Sequence, residues 1–306
     1  MRTRAALGAG AVLLAMGLAA AHPGLHHDIA KATEAIEKDP GNAEAWAERA
    51  FLERLNEDYP AALADLQRAG QLAPGNLRVH AERGMTLSAM GKDAAAEREL
   101  TRFLEEGGNT AEVLAERGKV RERLHRPDQA IADYGAAVAL SPEIDWYVAR
   151  GLLQESQHEL AAAAAGYRDG IARMGDAVVL ELALLRVETA RGAYPAALEV
   201  VDRQMVKAGV KTDWYLRRAD LLQASGRLAE AHADRERALQ EANEAVERSA
   251  TGIRLVSRAK AQAALGKTDE AKRDLLLALE KSPRFTEARE LLDTLGAAND
   301  DKGMKP

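Results

Sequence analysis

The chain contains no cysteine. That absence excludes disulfides, thiolate metal sites, cysteine nucleophiles and a lipid anchor on an N-terminal cysteine. Aromatic residues are scarce at 4 %, and alanine, leucine, glutamate and arginine dominate instead, as they do in long helices. There is no excess of positive charge. Across 306 residues, 42 Lys+Arg stand against 48 Asp+Glu, a formal net charge of -6, so electrostatics give no reason to expect a nucleic-acid partner. After residue 21 no apolar run is long enough to span a bilayer. No acid–base pair, nucleophile elbow or phosphate loop stands out. Gly266-Lys267-Thr268 ends like a phosphate loop, but Ala261 stands where the earlier glycine is required. The chain is therefore not expected to be an enzyme.

The first residues read as an address. Arg2 and Arg4 precede an apolar stretch from Ala5 to Ala21 that closes on Ala19-Ala20-Ala21. A basic start, a short apolar core and small exit residues predict a secretory signal peptide over residues 1–21. As a membrane anchor the stretch is slightly short, and Gly8, Gly10 and Gly17 weaken it. Cleavage after Ala21 leaves 306 - 21 = 285 residues and a charge of -6 - 2 = -8. The expected product is exported, periplasmic or secreted, with a bacterial periplasm the leading expectation and no stable membrane insertion after cleavage. It would begin His22-Pro23-Gly24-Leu25-His26-His27-Asp28. The free amine and ring of His22, completed by His26 or His27, could chelate copper or zinc, since both metals accept imidazole and amine nitrogens. A terminal histidine of this kind resembles copper-brace sites in other secreted proteins. The plainer reading is a frayed end leading into a helix.

A period near 34 residues organises the rest. Ala62, Ala96, Ala130, Ala163, Ala197, Ala231 and Ala271 are spaced by 34, 34, 33, 34, 34 and 40 residues. Twelve positions before them lie Ala50, Gly84, Gly118, Gly151, Leu185, Ala219 and Ala259. Five positions before them, where the chain must reverse, lie Glu57, Gly91, His125, His158, Gly192, Gly226 and Gly266. Twelve positions after them lie Pro74, Gly108, Pro142, Gly175, Gly209, Asn243 and Pro283. Each unit reads helix, turn, helix, breaker, with small residues where paired helices approach.

These residues resemble the tetratricopeptide repeat (TPR) family from Ala43 to about Thr286. The first unit carries Trp46 at the family's tryptophan place, then Tyr59, Ala62, Leu66, Ala69 and Pro74 in register. The third carries Gly118, Ala130, Tyr134, Ala137 and Pro142. The resemblance implies an all-α fold, an α-solenoid in which hairpins wind into a right-handed superhelix. It divides residues 43–285 into seven repeats: 43–76, 77–110, 111–143, 144–177, 178–211, 212–251 and 252–285. The fifth departs most, with Leu185 and Gln204 at small-residue places. Residues 22–42 supply an N-terminal capping helix, expected from Asp28 to Lys38 with Ile29, Ala32 and Ile36 inward. Residues 286–306 supply a C-terminal cap from Thr286 to Leu295 and then a polar, fraying tail. The sixth repeat has six extra residues, and Ala229 to Ser249 is expected to run as one protruding helix.

In the family the first helices line a concave face that binds protein or peptide partners. Carried over by register, the lining includes Ala47, Phe51, Ala81, Met85, Ala115, Lys119, Val148, Leu152, Leu182 and Arg186, with Arg54 and Arg78 on the rim. Phe51 and Met85 are the expected anchors. Some relatives hold a terminal carboxylate with a lysine and an asparagine one turn apart. Here those places carry Ala47 with Phe51, Ala81 with Met85 and Ala115 with Lys119, so that clamp is missing.

A charge pair tracks the repeat. Arg49, Arg83, Arg117, Arg150, Arg218 and Arg258 occupy one place in the first helices, and sixteen residues later stand Asp65, Glu99, Asp133, Gly166, Asp234 and Asp274. In the fifth unit both places are apolar, Leu184 and Val200. The coordinated swap predicts a pair facing across each hairpin, partly shielded from water. Guanidinium and carboxylate give such a pair a directed geometry. Arg117→Leu combined with Asp133→Val should then cost less stability in urea denaturation than either single change; additive losses would remove the pairing.

Overall fold

The computed structural model describes residues 23–175 and 177–300. Among them the chain forms helices and no strand. The helices are α1 Pro23–Lys38, α2 Ala43–Leu55, α3 Tyr59–Leu72, α4 Leu77–Ala89, α5 Asp93–Glu105, α6 Ala111–Arg123, α7 Pro127–Leu140 and α8 Ile144–Ser156. They continue as α9 Leu160–Met174, α10 Val178–Ala190, α11 Tyr194–Lys207, α12 Thr212–Ala224, α13 Leu228–Arg248, α14 Gly252–Ala264, α15 Thr268–Lys281 and α16 Thr286–Asp300. No described helix is long and apolar enough to cross a membrane.

The chain divides into two compact units, one up to Asp133 and one from Tyr134. In the first, α1 to α6 pack in sequence, and α2 meets α4 as α4 meets α6. In the second, α8 to α16 pack in sequence, and α8 meets α10 as α12 meets α14. Helices that touch only near neighbours in sequence make an α-solenoid. All seven phasing alanines have 0 % exposure. The first unit's core is built around Leu66 and Val79, then Leu100, Phe103 and Val120. In the second it runs through Tyr147, Tyr167, Leu180 and Val201, then Leu255 and Leu275.

Local chemistry fixes the helix ends. Asn42, Asn76, Thr110 and Thr251 accept backbone N–H groups at the starts of α2, α4, α6 and α14, each cap worth about 1 kcal/mol. Trp46 adds a bond from its ring N–H to the Pro40 carbonyl at 3.0 Å. Within the hairpins the reversals share one geometry. The residue after the turn position donates back to the first helix: Asp58 to Glu53, Arg126 to Arg121 and Glu159 to Gln154, at 2.8–2.9 Å. The same bond recurs as Lys92 to Leu87, Ala193 to Glu188, Arg227 to Leu222 and Lys267 to Gln262. This closure needs a left-handed residue. Glycine supplies it four times, while Glu57, His125 and His158 adopt φ of 62°, 58° and 61°.

Three features differ from expectation. The first cap begins at Pro23 rather than Asp28, because proline lacks only a donor that the first turn leaves unused; Ala32 and Ile36 are buried as expected. Helix α16 continues to Asp300 rather than stopping at Leu295, since Ala297 and Ala298 are strong helix formers; Leu291, Leu292 and Leu295 pack on the core. Helix α13 is 21 residues long, but its extension is not bare: Ala242 is 1 % exposed and Val246 joins the last core cluster. The Glu241 carboxylate there accepts from the Lys211 N–H at 3.0 Å and the Thr212 hydroxyl at 2.9 Å, tying down the start of α12. The expected signal peptide and His22 lie outside the described residues.

Releasing the strained turns should stabilise the fold. A left-handed non-glycine residue costs about 1–2 kcal/mol, and glycine returns about 0.5–1 kcal/mol of that as chain entropy. His125→Gly and His158→Gly should each raise the urea midpoint by a gain of about 0.5–1 kcal/mol. Gly226→Ala, where φ is 80° and a Cβ meets nothing within 4 Å, should lower it.

Candidate functional site: the first-helix face and its arginine ladder

The charge pair forms as a two-pronged contact in four hairpins. Arg49 Nε and Nη2 donate to Asp65 at 2.6 and 2.8 Å, and Arg117 reaches Asp133 at 2.9 and 2.6 Å. Arg218 reaches Asp234 at 2.6 and 2.9 Å, and Arg258 reaches Asp274 at 2.7 Å twice. The carboxylates are almost out of water, with side-chain exposures of 2–9 %. Their hydrogen bonds push the guanidinium pKa of Arg49, Arg218 and Arg258 further above its ordinary value. In the fifth hairpin Leu184 and Val200 are both buried, so apolar contact replaces the pair. Leu185 and Gln204 are buried too, and Gln204 donates to buried Glu181.

The second hairpin deviates. Glu99 lies 3.7 Å from Arg83 but 2.7 Å from Nδ1 of buried His80, and Arg83 donates to the Leu66 carbonyl instead. His80 sits one turn before Arg83 on the same helix, which is the sequence signal for this competition.

Within the first unit the expected groove is stitched by ions. Arg54 stacks 5.3 Å over the half-buried Phe51 ring and pairs with Glu82 at 3.0 Å. Arg78 bonds Glu44 at 3.3 Å and also Glu48. Arg123 bonds Asp93 and the Ser88 hydroxyl, and Ser88 donates to Glu116. Ala81 and Met85 are half-buried against the Leu100–Phe103 cluster, Ala47 is fully buried and Ala115 is 6 % exposed. Lys119 is exposed. Ala47 thus offers no surface of its own, and Ala115 only a small one.

Within the second unit the same face is apolar and open. Leu152 is 48 % exposed, Leu182 41 % and Val179 56 %. Together with Val148, Ala183, Leu185, Thr189, Arg186 and Arg217 they line a cleft of about 660 Å³. Arg186 is held at the rim by Glu155, at 3.0 and 2.7 Å. Glu155 also accepts the Tyr167 hydroxyl at 2.7 Å, and burial, then that bond, push the tyrosine pKa far above its ordinary value. Of these lining residues, repeat register names Val148, Leu152, Leu182 and Arg186 but not Val179 or Arg217; the Val178-Val179 pair opening α10 is the available signal for Val179, and the repeat pattern carries none for Arg217.

Of the expected metal ligands, His22 lies outside the described residues. His26 and His27 are exposed on α1, and among the described residues no group of three His, Cys, Asp or Glu could hold a metal ion.

No family model and no curated protein matches the chain. Solved structures do resemble it. The C-terminal part of a TPR repeat-containing protein from Cytophaga hutchinsonii shares 14 % identity over 80 % of this chain and 98 % of its own, with a TM-score of 0.57. The Naa15/Naa10 structure bound to HypK-THB shares 16 % identity over 83 % of this chain and 38 % of that one, with a TM-score of 0.53. A tetratricopeptide repeat protein from Parabacteroides merdae shares 22 % identity over 83 % and 98 %, with a TM-score of 0.46. The chain has the tetratricopeptide-repeat fold.

The Arg258–Asp274 pair offers a cleaner double-mutant cycle than Arg117–Asp133, because Asp133 also accepts from Arg121 at 2.8 Å. Arg258→Leu and Asp274→Val should each cost about 1–3 kcal/mol in urea unfolding, since each strands a shielded charge, and the double variant should recover about half of their sum.

Proposed function

We propose that this chain is an exported scaffold that binds another protein through the first-helix face of its second unit. One observation carries the reading: Leu152, Val179 and Leu182 are large, apolar and exposed in a single cleft. Exposed apolar surface bordered by charge is the usual signature of a protein-binding site. Arg186 and Arg217 border this cleft, which suits an apolar segment carrying an acidic residue. The Naa15/Naa10 structure shares the fold and is, by its description, bound to HypK-THB. Export rests on the N-terminal sequence, and Phe51 and Met85 take a supporting role within the first unit.

Two measurements test it. A photo-crosslinking residue at Leu182, introduced in the native cells, should capture a partner that Leu276 on α15, itself 57 % exposed, does not. Leu152→Glu should weaken that capture about tenfold or more while changing stability by no more than about 0.5 kcal/mol. Equal capture from both positions would overturn the site. Mass spectrometry of the mature N-terminus should show a start at His22, and an intact Met1 would overturn export.

A further inference from the structure

One arginine of the ladder has nothing to grip. In four hairpins the guanidinium holds an aspartate across the hairpin, and in three of these its Nη1 reaches back to the preceding second helix. Arg49 reaches Thr33 at 3.3 Å, Arg117 reaches Thr101 at 3.3 Å and Arg218 reaches Asp202 at 2.7 Å. In the fourth hairpin both acceptor places are glycine: Gly166 where the aspartate belongs, and Gly135 one repeat on from Thr101. Arg150 Nε is buried without a hydrogen-bond partner. Its guanidinium carbon lies over the Tyr147 ring, 5.4 Å from the centroid.

The geometry shows what is missing. A Cβ on Gly166 would stand 2.8 Å from Arg150 Nη2, and one on Gly135 would stand 3.7 Å from Nη1. The guanidinium tip has moved into the space that an aspartate side chain fills in four other repeats. Arginine cannot shed its charge in a protein, and its Nε N–H here is shut off from water without an acceptor, which is costly. Its planar fork matches a carboxylate with two parallel bonds. The group missing at Gly166 is a carboxylate on one carbon; a free carboxylate, held at van der Waals distance from the Gly166 backbone, meets the guanidinium fork once the tip swings out of that space. The tip is the free end of a flexible side chain, and the four paired arginines show where it rests once a carboxylate enters.

We propose that Arg150, Gly135 and Gly166 form a binding site for an acetate-sized carboxylate, either a free short-chain acid or an acidic side chain of a bound protein. The site stands apart from the apolar cleft and does not depend on it.

The test uses the full mature chain, its Gly166→Asp variant and its Arg150→Gln variant. The first probe is sodium acetate, titrated against sodium chloride at equal ionic strength and read by thermal midpoint and by 13C-acetate line broadening. The second probe is a blocked tetrapeptide with a central aspartate, compared with its asparagine counterpart. The parent chain should show a saturable response beyond chloride, with a midpoint rise of about 1–3 °C, and both variants should be flat. Gly166→Asp should melt above the parent without ligand, which shows that it folds. A response to acetate assigns a free acid; a response to the aspartyl peptide alone assigns a protein side chain. Silence from both probes, or an equal response in Gly166→Asp, would overturn the site.

Discussion

The close approach of paired helices is the constraint on which the rest of the structure depends. A Cβ on Gly84 would lie 2.5 Å from Leu100, and one on Gly151 would lie 2.2 Å from Tyr167. Such contacts leave no room for a larger side chain, and overpacking of this kind costs about 1–3 kcal/mol. The alanines at the matching places in the second helices are wholly buried. Only at this separation can an arginine on one helix reach an aspartate on the other with both prongs. Only with the hairpins closed this way do the first helices meet one another and present a face.

The ladder and its exception in the fifth hairpin show two solutions to one geometric problem. Four hairpins fill the space between their helices with a guanidinium and a carboxylate. The fifth fills it with Leu184 and Val200. A shielded ion pair gives little net stability, yet losing either partner strands the other's charge. The apolar solution sits beside the open cleft of α8 and α10, so the hairpin richest in apolar contact also carries exposed apolar side chains.

Much of the fold was legible because each hairpin repeats the same local chemistry. The seven turn positions were visible even where the residue argues against them: phase placed Glu57, His125 and His158 at reversals, and all three adopt positive φ. The coordinated loss of charge at Leu184 and Val200 marks the ladder in the sequence itself. The binding face was less legible. Size suggested Phe51 and Met85 as anchors, but exposure is decided by ion pairs between hairpins, such as Arg54 with Glu82 and Arg123 with Asp93. Those partners stand about thirty residues apart, and no single repeat reveals them. The fate of the extra residues in α13 was hidden for the same reason, since Glu241 acts on Thr212 in the preceding helix.

The sixteen-residue reach of the ladder bears on how the polypeptide matures. Each of the four paired arginines finds its aspartate as soon as one hairpin exists, so little loop-closure entropy separates a contact from its reward. A growing chain can therefore consolidate hairpin by hairpin from its amino end, each new one docking on a surface already made.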